Sequence, residues 1–347
     1  MSFTRDPLAA KIPVTLITGF LGAGKTTLVS KLVRHPDMNR VAVVINEIGE
    51  IGIDHDLVTM SSENIALLAN GCICCTVRTD LQETLRELFN ERRAGRMADF
   101  DRVIVETTGL ADPAPVVQTL VSDTLLEAQF RLDGVVTVVD AVNGMGQLEH
   151  QKEAAKQVAL ADRILVTKTD LADAAALAEL EDELHRLNAQ ADLRRVVQGE
   201  IEPSELTGLG LASARAGEAT RRFLGVALDG AADHAGEAYL GQMAPRHDPS
   251  VRTLALRFDA PFTWEAFSAA LQLLTNLRGP DMLRVKGIVN VDGKPVVVQG
   301  VQHIFHPPVT LDRWPSDDHG TRLMFITRGI EPGTIRALFE AVTRVTR

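Results

Sequence analysis

The run Gly19-Phe20-Leu21-Gly22-Ala23-Gly24-Lys25-Thr26 sets two glycines five residues apart and follows the second at once with a lysine and a hydroxyl. A loop of that pattern cradles polyphosphate. Its glycines let backbone N–H groups turn inward, the helix that follows adds a positive partial charge, the lysine reaches the β- and γ-phosphates, and the hydroxyl coordinates Mg²⁺. On this reading Gly19, Gly22, Ala23, Gly24, Lys25, Thr26 and Thr27 bind nucleotide, Lys25 with a catalytic share and Thr26 as a Mg²⁺ ligand. The flanks suit the reading, with the apolar run Val14 to Thr18 before the loop and a helical pattern from Lys25 after it.

Two further segments complete such a site. Val103 to Val105 runs into Glu106-Thr107-Thr108-Gly109. An acid at the carboxyl end of a strand in a wound sheet stands on the edge where nucleotides bind. Glu106 is the candidate catalytic acid, holding Mg²⁺ through water or orienting the attacking water, and the Gly109 N–H is positioned to meet a γ-phosphate. Taken alone, the same residues read as a polar strand end and a turn. After Ile164 to Val166 comes Thr167-Lys168-Thr169-Asp170. A carboxylate there accepts hydrogen bonds from N1–H and the 2-amino group of guanine, which adenine lacks, so Lys168 and Asp170 read as the base site and the nucleotide as GTP or GDP. The usual guanine motif starts with Asn; here the residue is Thr167.

All three cysteines of the chain, Cys72, Cys74 and Cys75, fall in one four-residue window, Cys72-Ile73-Cys74-Cys75, behind Asn70-Gly71. No other cysteine is left for a long-range disulfide. Thiolates suit soft and borderline ions such as Zn²⁺ or Cu(I), and a helix start expected near Thr79 favours the thiolate form. Three sulfurs leave tetrahedral zinc one ligand short, an open position that fits transfer or sensing; Glu47, water or a recipient protein can supply the fourth. The competing readings are a redox pair and inert packing. Glu47 lies in Asn46-Glu47-Ile48-Gly49-Glu50, an acidic glycine-containing loop that reads either as a nucleotide-sensing switch or as a solvated turn.

The elements that must position these groups are legible as apolar runs alternating with helical patterns. Val14–Thr18, Val41–Ile45, Ile65–Ala69, Val103–Glu106, Val135–Val139 and Ile164–Thr167 predict buried strands of a doubly wound, mostly parallel α/β sheet. Asp112 before Pro113, and Thr79 three residues before Gln82, read as helix starts. The expected organisation is a nucleotide domain over 1–200, a Gly- and Ala-rich linker over 201–248, and a smaller α+β domain over 249–347. The last should hold strands Val251–Phe258, Leu283–Val291, Pro295–His303 and Arg322–Thr327, with helices from Thr263 and from about Gly333. With 347 residues, 45% of them hydrophobic, the chain can furnish two cores, and its formal charge of -10 argues against sequence-independent nucleic-acid binding. No signal peptide and no apolar run long enough for a membrane span are evident, so a cytoplasmic protein is expected.

Together, Gly19 to Thr27, Asn46 to Glu50 with Gly52 to Asp54, Gly71 to Cys75, Glu106 to Pro113, Thr167 to Asp170, Leu283 to Gly287 and Gln299 to His303 resemble the CobW-type family of metallochaperone GTPases, relatives of the nickel-insertion GTPases of urease and hydrogenase maturation. The resemblance implies a P-loop GTPase domain with a CobW-type C-terminal domain, slow GTP hydrolysis, and zinc or cobalt (Zn²⁺ or Co²⁺) at the Cys-X-Cys-Cys motif. It also implies nucleotide-dependent delivery to a metal-requiring client protein; a homodimer is compatible with it. The histidine-rich segment common in the family is missing, since the nine histidines are scattered. His303 and His306 read as structural or client-contacting rather than as ligands. The alternative is a GTP-dependent redox or metal sensor acting through a regulatory partner; a small-molecule kinase lacks a visible acceptor pocket.

Overall fold

The computed structural model describes residues 11–38, 40–45, 58–62, 65–68, 73–76, 81–209, 237–240 and 251–345, with the backbone alone for 58–62, 65–68, 73–76 and 237–240. The chain divides into two compact units, Met1–Glu181 with Ala191–Ala214, and Asp182–Gln190 with Arg215–Arg347.

In the first unit the chain runs β1 (Ile12–Gly19), α1 (Lys25–Leu32), β2 (Val41–Ile45), β3 (Val58–Ser62), β4 (Ile65–Leu68), β5 (Ile73–Thr76), α2 (Leu81–Arg93), β6 (Arg102–Glu106), α3 (Pro113–Ser122), α4 (Thr124–Gln129), β7 (Phe130–Asp140), α5 (Gly144–His150), α6 (Lys152–Leu160), β8 (Arg163–Thr167), α7 (Ala174–Leu187) and β9 (Asp192–Val196). The described strands form one sheet in the order β3-β4-β5-β2-β6-β1-β7-β8-β9, parallel from β5 to β9. Strands β2 and β8 are buried along their whole length, as expected of apolar runs covered on both faces. From β1 the chain steps to β2, returns to fill the gap with β6, then crosses β1 to β7. That reversal puts a crevice at the carboxyl end of β1, where ligands of wound sheets bind.

In this sheet β3, β5 and β9 were not expected as strands. The exposed edge strand β9 carries Arg194 and Arg195, charges that protect an edge from pairing and also hide the strand from a search for apolar runs. Strand β4, expected from Ile65–Ala69, runs antiparallel to β3 and β5 rather than parallel, and β5 carries Cys74 and Cys75 within a strand. Cysteine behaves as a small hydrophobe, and β-branched Ile73 and Thr76 flank the pair, so the segment meets strand requirements as well as ligand ones. Asp112 caps α3 as expected, accepting from the Ala114 N–H at 3.0 Å. Thr79 lies outside the described residues, and the Gln82 amide donates to Asp123, the cap of α4.

The stretch read as a linker is structured at both of its described ends. Leu206 and Leu209 are buried against the amino-terminal edge of the sheet. There Thr15 Oγ1 donates to the Leu206 carbonyl at 3.1 Å, and the Gly208 N–H reaches buried Asp133, which also pairs with Arg102 and Arg131. Residues 237–240 form β10 (Glu237–Leu240) of the second sheet.

The second unit holds β11 (Val251–Phe258), α8 (Trp264–Arg278), β12 (Met282–Val291), β13 (Lys294–Val301), β14 (Ile304–Phe305), β15 (Val309–Thr310), β16 (Thr321–Arg328) and α9 (Pro332–Val345). Its sheet is antiparallel, β10-β11-β16-β12-β13-β14, with β15 also on β13. Strand β13 ends at Val301 rather than His303, because Gln302 turns the chain at φ 55° into β14. Thr263 caps α8, and both helices lay apolar side chains on one sheet face in a core that includes Phe267, Leu274, Val285, Leu323, Phe325, Ile335 and Phe339. The Phe339 ring lies within 6.2 Å of those of Phe258, Phe262, Phe267 and Phe325. Phe339→Ala should therefore cost this unit about 3 to 5 kcal/mol, measured by urea unfolding of the full chain.

Candidate nucleotide site

The phosphate loop leaves β1 at the reversal point. Gly19 has φ 144°, and a Cβ there would lie 2.2 Å from the Val138 carbonyl oxygen of β7, so only glycine lets the loop rise so close to its neighbour strand. Gly22 and Gly24 are left-handed at φ 75° and 97°, Gly24 as the N-cap of α1. The first turn of α1 holds no acid, which keeps the positive end of the helix available to an anion. Buried Lys25 lies across the loop and donates from Nζ to the carbonyls of Gly19 (2.9 Å) and Phe20 (3.3 Å).

Fully buried Glu106 ends β6 level with Ile17 of β1 and Ile45 of β2. The Thr26 hydroxyl donates to its Oε1 at 3.1 Å. A hydroxyl and a carboxylate brought together beside the phosphate loop form the hard-oxygen donor set that Mg²⁺ takes, so these residues fit the ion. Beyond Glu106 the chain is stapled to β1: the Thr107 N–H donates to the Ile17 carbonyl and the Thr107 hydroxyl to that of Thr18, both at 2.9 Å. Gly109 then packs on the phosphate loop, where a Cβ would come within 2.7 Å of the Leu21 nitrogen.

Thr167 does for the base segment what its hydroxyl allows. Oγ1 is 2.6 Å from the Ala23 carbonyl and 3.2 Å from that of Val139, tying the end of β8 to the phosphate loop and to β7. Lys168, left-handed at φ 56°, reaches Asp140 Oδ2 at 2.7 Å, and Asp170 is exposed. Asp140, at the end of β7, was not singled out from the sequence although it carries the same signal as Glu106, an acid closing an apolar run. Burial pushes its carboxyl up, but hydrogen bonds from Lys168, the Asn143 amide and the Val142 N–H outweigh it and hold it below the ordinary aspartate range. The turn after β9 was also missed: Gln198 and Gly199 are left-handed, and Gly199 lies so near α1 that a Cβ would be 3.2 Å from the Thr27 carbonyl oxygen.

Of the expected metal ligands, Cys72 and Glu47 lie outside the described residues. So does the rest of the acidic loop, 46–57. Cys74 and Cys75 are described by backbone only: Cys74 pairs with Val43 and Cys75 with Val44 of β2, whose next residue, Ile45, pairs with Glu106. They stand just short of the edge where Glu106 ends its strand. Among the described residues no three His, Cys, Asp or Glu side chains group as a metal site.

Three outcomes follow. Asp170→Asn exchanges an acceptor for a donor and should move the preference from guanine to xanthine nucleotides by about 10- to 100-fold, read by competition against a fluorescent GDP. Asp140→Ala frees Lys168 and should weaken GDP about tenfold in the same assay. Because the folded pKa of Asp140 is lowered, its contribution is fully present above the unfolded aspartate value of about 3.9 and is lost as pH falls through the folded value. The stability gap between the wild type and Asp140→Asn, from urea unfolding, should hold level from pH 8 to 5 and shrink only below about pH 4.

Residues 13–195 match the family model for the CobW/HypB/UreG nucleotide-binding domain, and residues 251–343 the model for the cobalamin synthesis protein cobW C-terminal domain. The zinc chaperone YjiA of Escherichia coli is 33% identical over 342 residues, covering 96% of this chain and 99% of the relative. The zinc chaperone CobW of Pseudomonas aeruginosa is 32% identical over 363 residues, covering 94% and 90%. Among solved structures, Zn(II)-bound YjiA GTPase from E. coli matches with a TM-score of 0.72 at 30% identity, over 96% of this chain and 99% of that one. With the phosphate loop, Glu106 and the base segment assembled on one sheet edge, the chain belongs to the CobW/HypB/UreG family and is a P-loop GTPase with a CobW C-terminal domain.

Proposed function

We propose that this GTPase holds Zn²⁺ with Cys72, Cys74 and Cys75 and hands it to a metal-requiring client under control of the bound nucleotide. The observation that carries the reading is strand order: β5, with Cys74 and Cys75, is separated from β6, with Glu106, by β2 alone. At about 4.8 Å per strand the two backbones are roughly 10 Å apart. Strand β2 also leads directly into the segment that holds Glu47, two residues beyond Ile45. The names of the relatives, zinc chaperones, favour zinc over cobalt as cargo.

In hydrolysis, Lys25 balances phosphate charge and the phosphate-loop amides fix the β- and γ-phosphates. Thr26 and Glu106 would hold Mg²⁺, which would offset the charge that grows on the phosphate oxygens. Glu106 is the buried acid next to the reacting centre, held by Thr26 on one oxygen, and it orients the attacking water. Asp170 selects guanine, while Asp140 and Thr167 keep its segment in register. At the cargo site the three thiols give up protons on binding zinc and leave one position for Glu47, water or a client residue, which gives the client a point of attack.

GTP that tightens zinc must itself bind more tightly when zinc is present. Competitive Zn²⁺ titrations with a non-hydrolysable GTP analogue, with GDP and without nucleotide should give at least about a tenfold spread in affinity. Cys74→Ser should lower the zinc content of protein purified with GTP. Equal affinities in all three titrations would sink the coupling, and equal zinc content would remove the cysteines from the site.

A further inference from the structure

The loop from Glu106 to Asp112 is anchored at both ends. Thr107 is stapled to β1, and Asp112 both caps α3 and pairs with Lys156 of α6. The span between them, 108–111, closes one turn of its own, from the Ala111 N–H to the Thr108 carbonyl at 3.1 Å. Among the described residues one side chain grips it. Gln157, next to Lys156 on α6 and 1% exposed, donates from Nε2 to the carbonyls of Gly109 (3.2 Å) and Ala111 (3.0 Å). Two carbonyls against one end of the amide fix its orientation, because an oxygen there would repel both. Its Oε1 is left buried with no partner among the described residues, a cost that the apolar packing of α6 around it, Ala154, Val158 and Leu160, does nothing to relieve.

The peptide group is planar and trans, so a carbonyl aimed at α6 turns the N–H of the following residue the opposite way. Holding the Gly109 carbonyl therefore directs the Leu110 N–H away from α6. Gly109 itself is pressed on the backbone of Leu21 in the phosphate loop. We infer that Gln157 is a positioning residue for the γ-phosphate: by holding the Gly109 carbonyl, with that of Ala111 as a second anchor, it presents the Leu110 N–H to the extra phosphate of GTP. GDP has no atom there and does not use the contact. The inference deepens the nucleotide reading above and rests on its assignment of this loop to the γ-phosphate.

The experiment compares Gln157→Leu, which keeps the bulk and removes the donor, with Gln157→Glu, which keeps the shape and puts oxygen against the two carbonyls. Full-length protein is titrated with Mg²⁺ and either a non-hydrolysable GTP analogue or GDP, and hydrolysis is followed in single turnover. Both variants should lose about tenfold in analogue affinity and about tenfold in rate, while GDP affinity stays within about twofold. An equal loss for both nucleotides, as a merely structural residue would give, overturns the inference, and so does no loss for either. If a variant fails to fold, hydrogen exchange on the wild type decides. Amides of 108–112 should gain protection with the analogue and not with GDP, and equal protection counts against the inference. The same exchange measurement separates the two levels. Protection of 108–112 by the analogue alone, with Gln157 variants that bind both nucleotides normally, excludes Gln157 and keeps the loop; equal protection by both nucleotides ends the γ-phosphate role of the loop itself.

Discussion

The Thr167 hydroxyl, 2.6 Å from the carbonyl of Ala23 with that of Val139 within 3.2 Å, joins the segment proposed to read the base to the phosphate loop. A hydroxyl has one proton to give, so the short contact to the phosphate loop takes most of it and the second carbonyl shares the remainder. Threonine is β-branched and stiff at χ1, which suits a residue whose task is to keep two loops at a fixed separation. Gly24 meets it from the other side: a Cβ there would come to 3.7 Å from Thr167 Oγ1, so the left-handed start of α1 and the end of β8 are already in near contact. The backbone of the next two turns follows from this bond. The Ala141 N–H donates to the Thr167 carbonyl at 2.9 Å, Lys168 is left-handed, and its ammonium returns to Asp140.

The two edges of the first sheet are built in opposite ways. At the amino-terminal edge, charge is buried and matched: Asp133 lies between Arg102 and Arg131, and Arg163 between Asp192 and Glu205, with residues 203–209 fastened beneath. Such clusters add little net stability, since desolvation cancels much of the attraction, but each has few geometries in which every partner is met. They define where that segment runs. At the carboxyl-terminal edge the ion pairs Lys168–Asp140 and Lys156–Asp112 fix the ends of the loops, and the backbone between them is held by neutral hydrogen bonds from Thr107, Thr167 and Gln157. The stretches held only by neutral bonds of about 1 kcal/mol each, such as 108–111, can exchange them for contacts to a ligand more readily than a segment fixed by buried ions.

What could be read in the sequence divides along the same line. The phosphate loop is legible because its glycines answer local backbone needs, a close approach to β7 and two left-handed turns, that no other residue meets cheaply. Strands β1, β2, β6 and β8 and the Val135–Val139 stretch of β7 are legible because burial on both faces demands largely apolar runs, whereas Arg131 and Asp133 hide the start of β7 at Phe130. Strand β9 is not, because an edge strand has a reason to be charged, and β5 is not, because Ile-Cys-Cys-Thr answers to two descriptions at once. Asp140 carried a readable signal that lay unread beside a more familiar motif. Gln157 carried none: a glutamine on a helix is unremarkable until the fold brings the carbonyls of Gly109 and Ala111 against it, and that adjacency arises from strand order rather than from neighbouring residues.

Strand order also bounds how strongly the two proposed sites can act on each other. A nucleotide shifts an equilibrium only by the difference in its affinity for the two states, so the γ-phosphate contacts set the ceiling on any change in zinc affinity. Moving a cargo site from almost wholly retaining to almost wholly releasing takes a difference of about 10⁴-fold, or roughly 5.5 kcal/mol. A few amide contacts from 108–111, with the hydroxyl and carboxylate at Thr26 and Glu106, supply an interaction of that order only if they change together. Strand β2 lies between β5 and β6, its whole length buried and in register with both. It is a stiff element with little room to slide, so the change must be carried by what leaves its carboxyl end. The chain there enters the segment that holds Glu47, and a carboxylate that serves zinc in one nucleotide state and is withdrawn in another would couple the sites without any movement of the sheet.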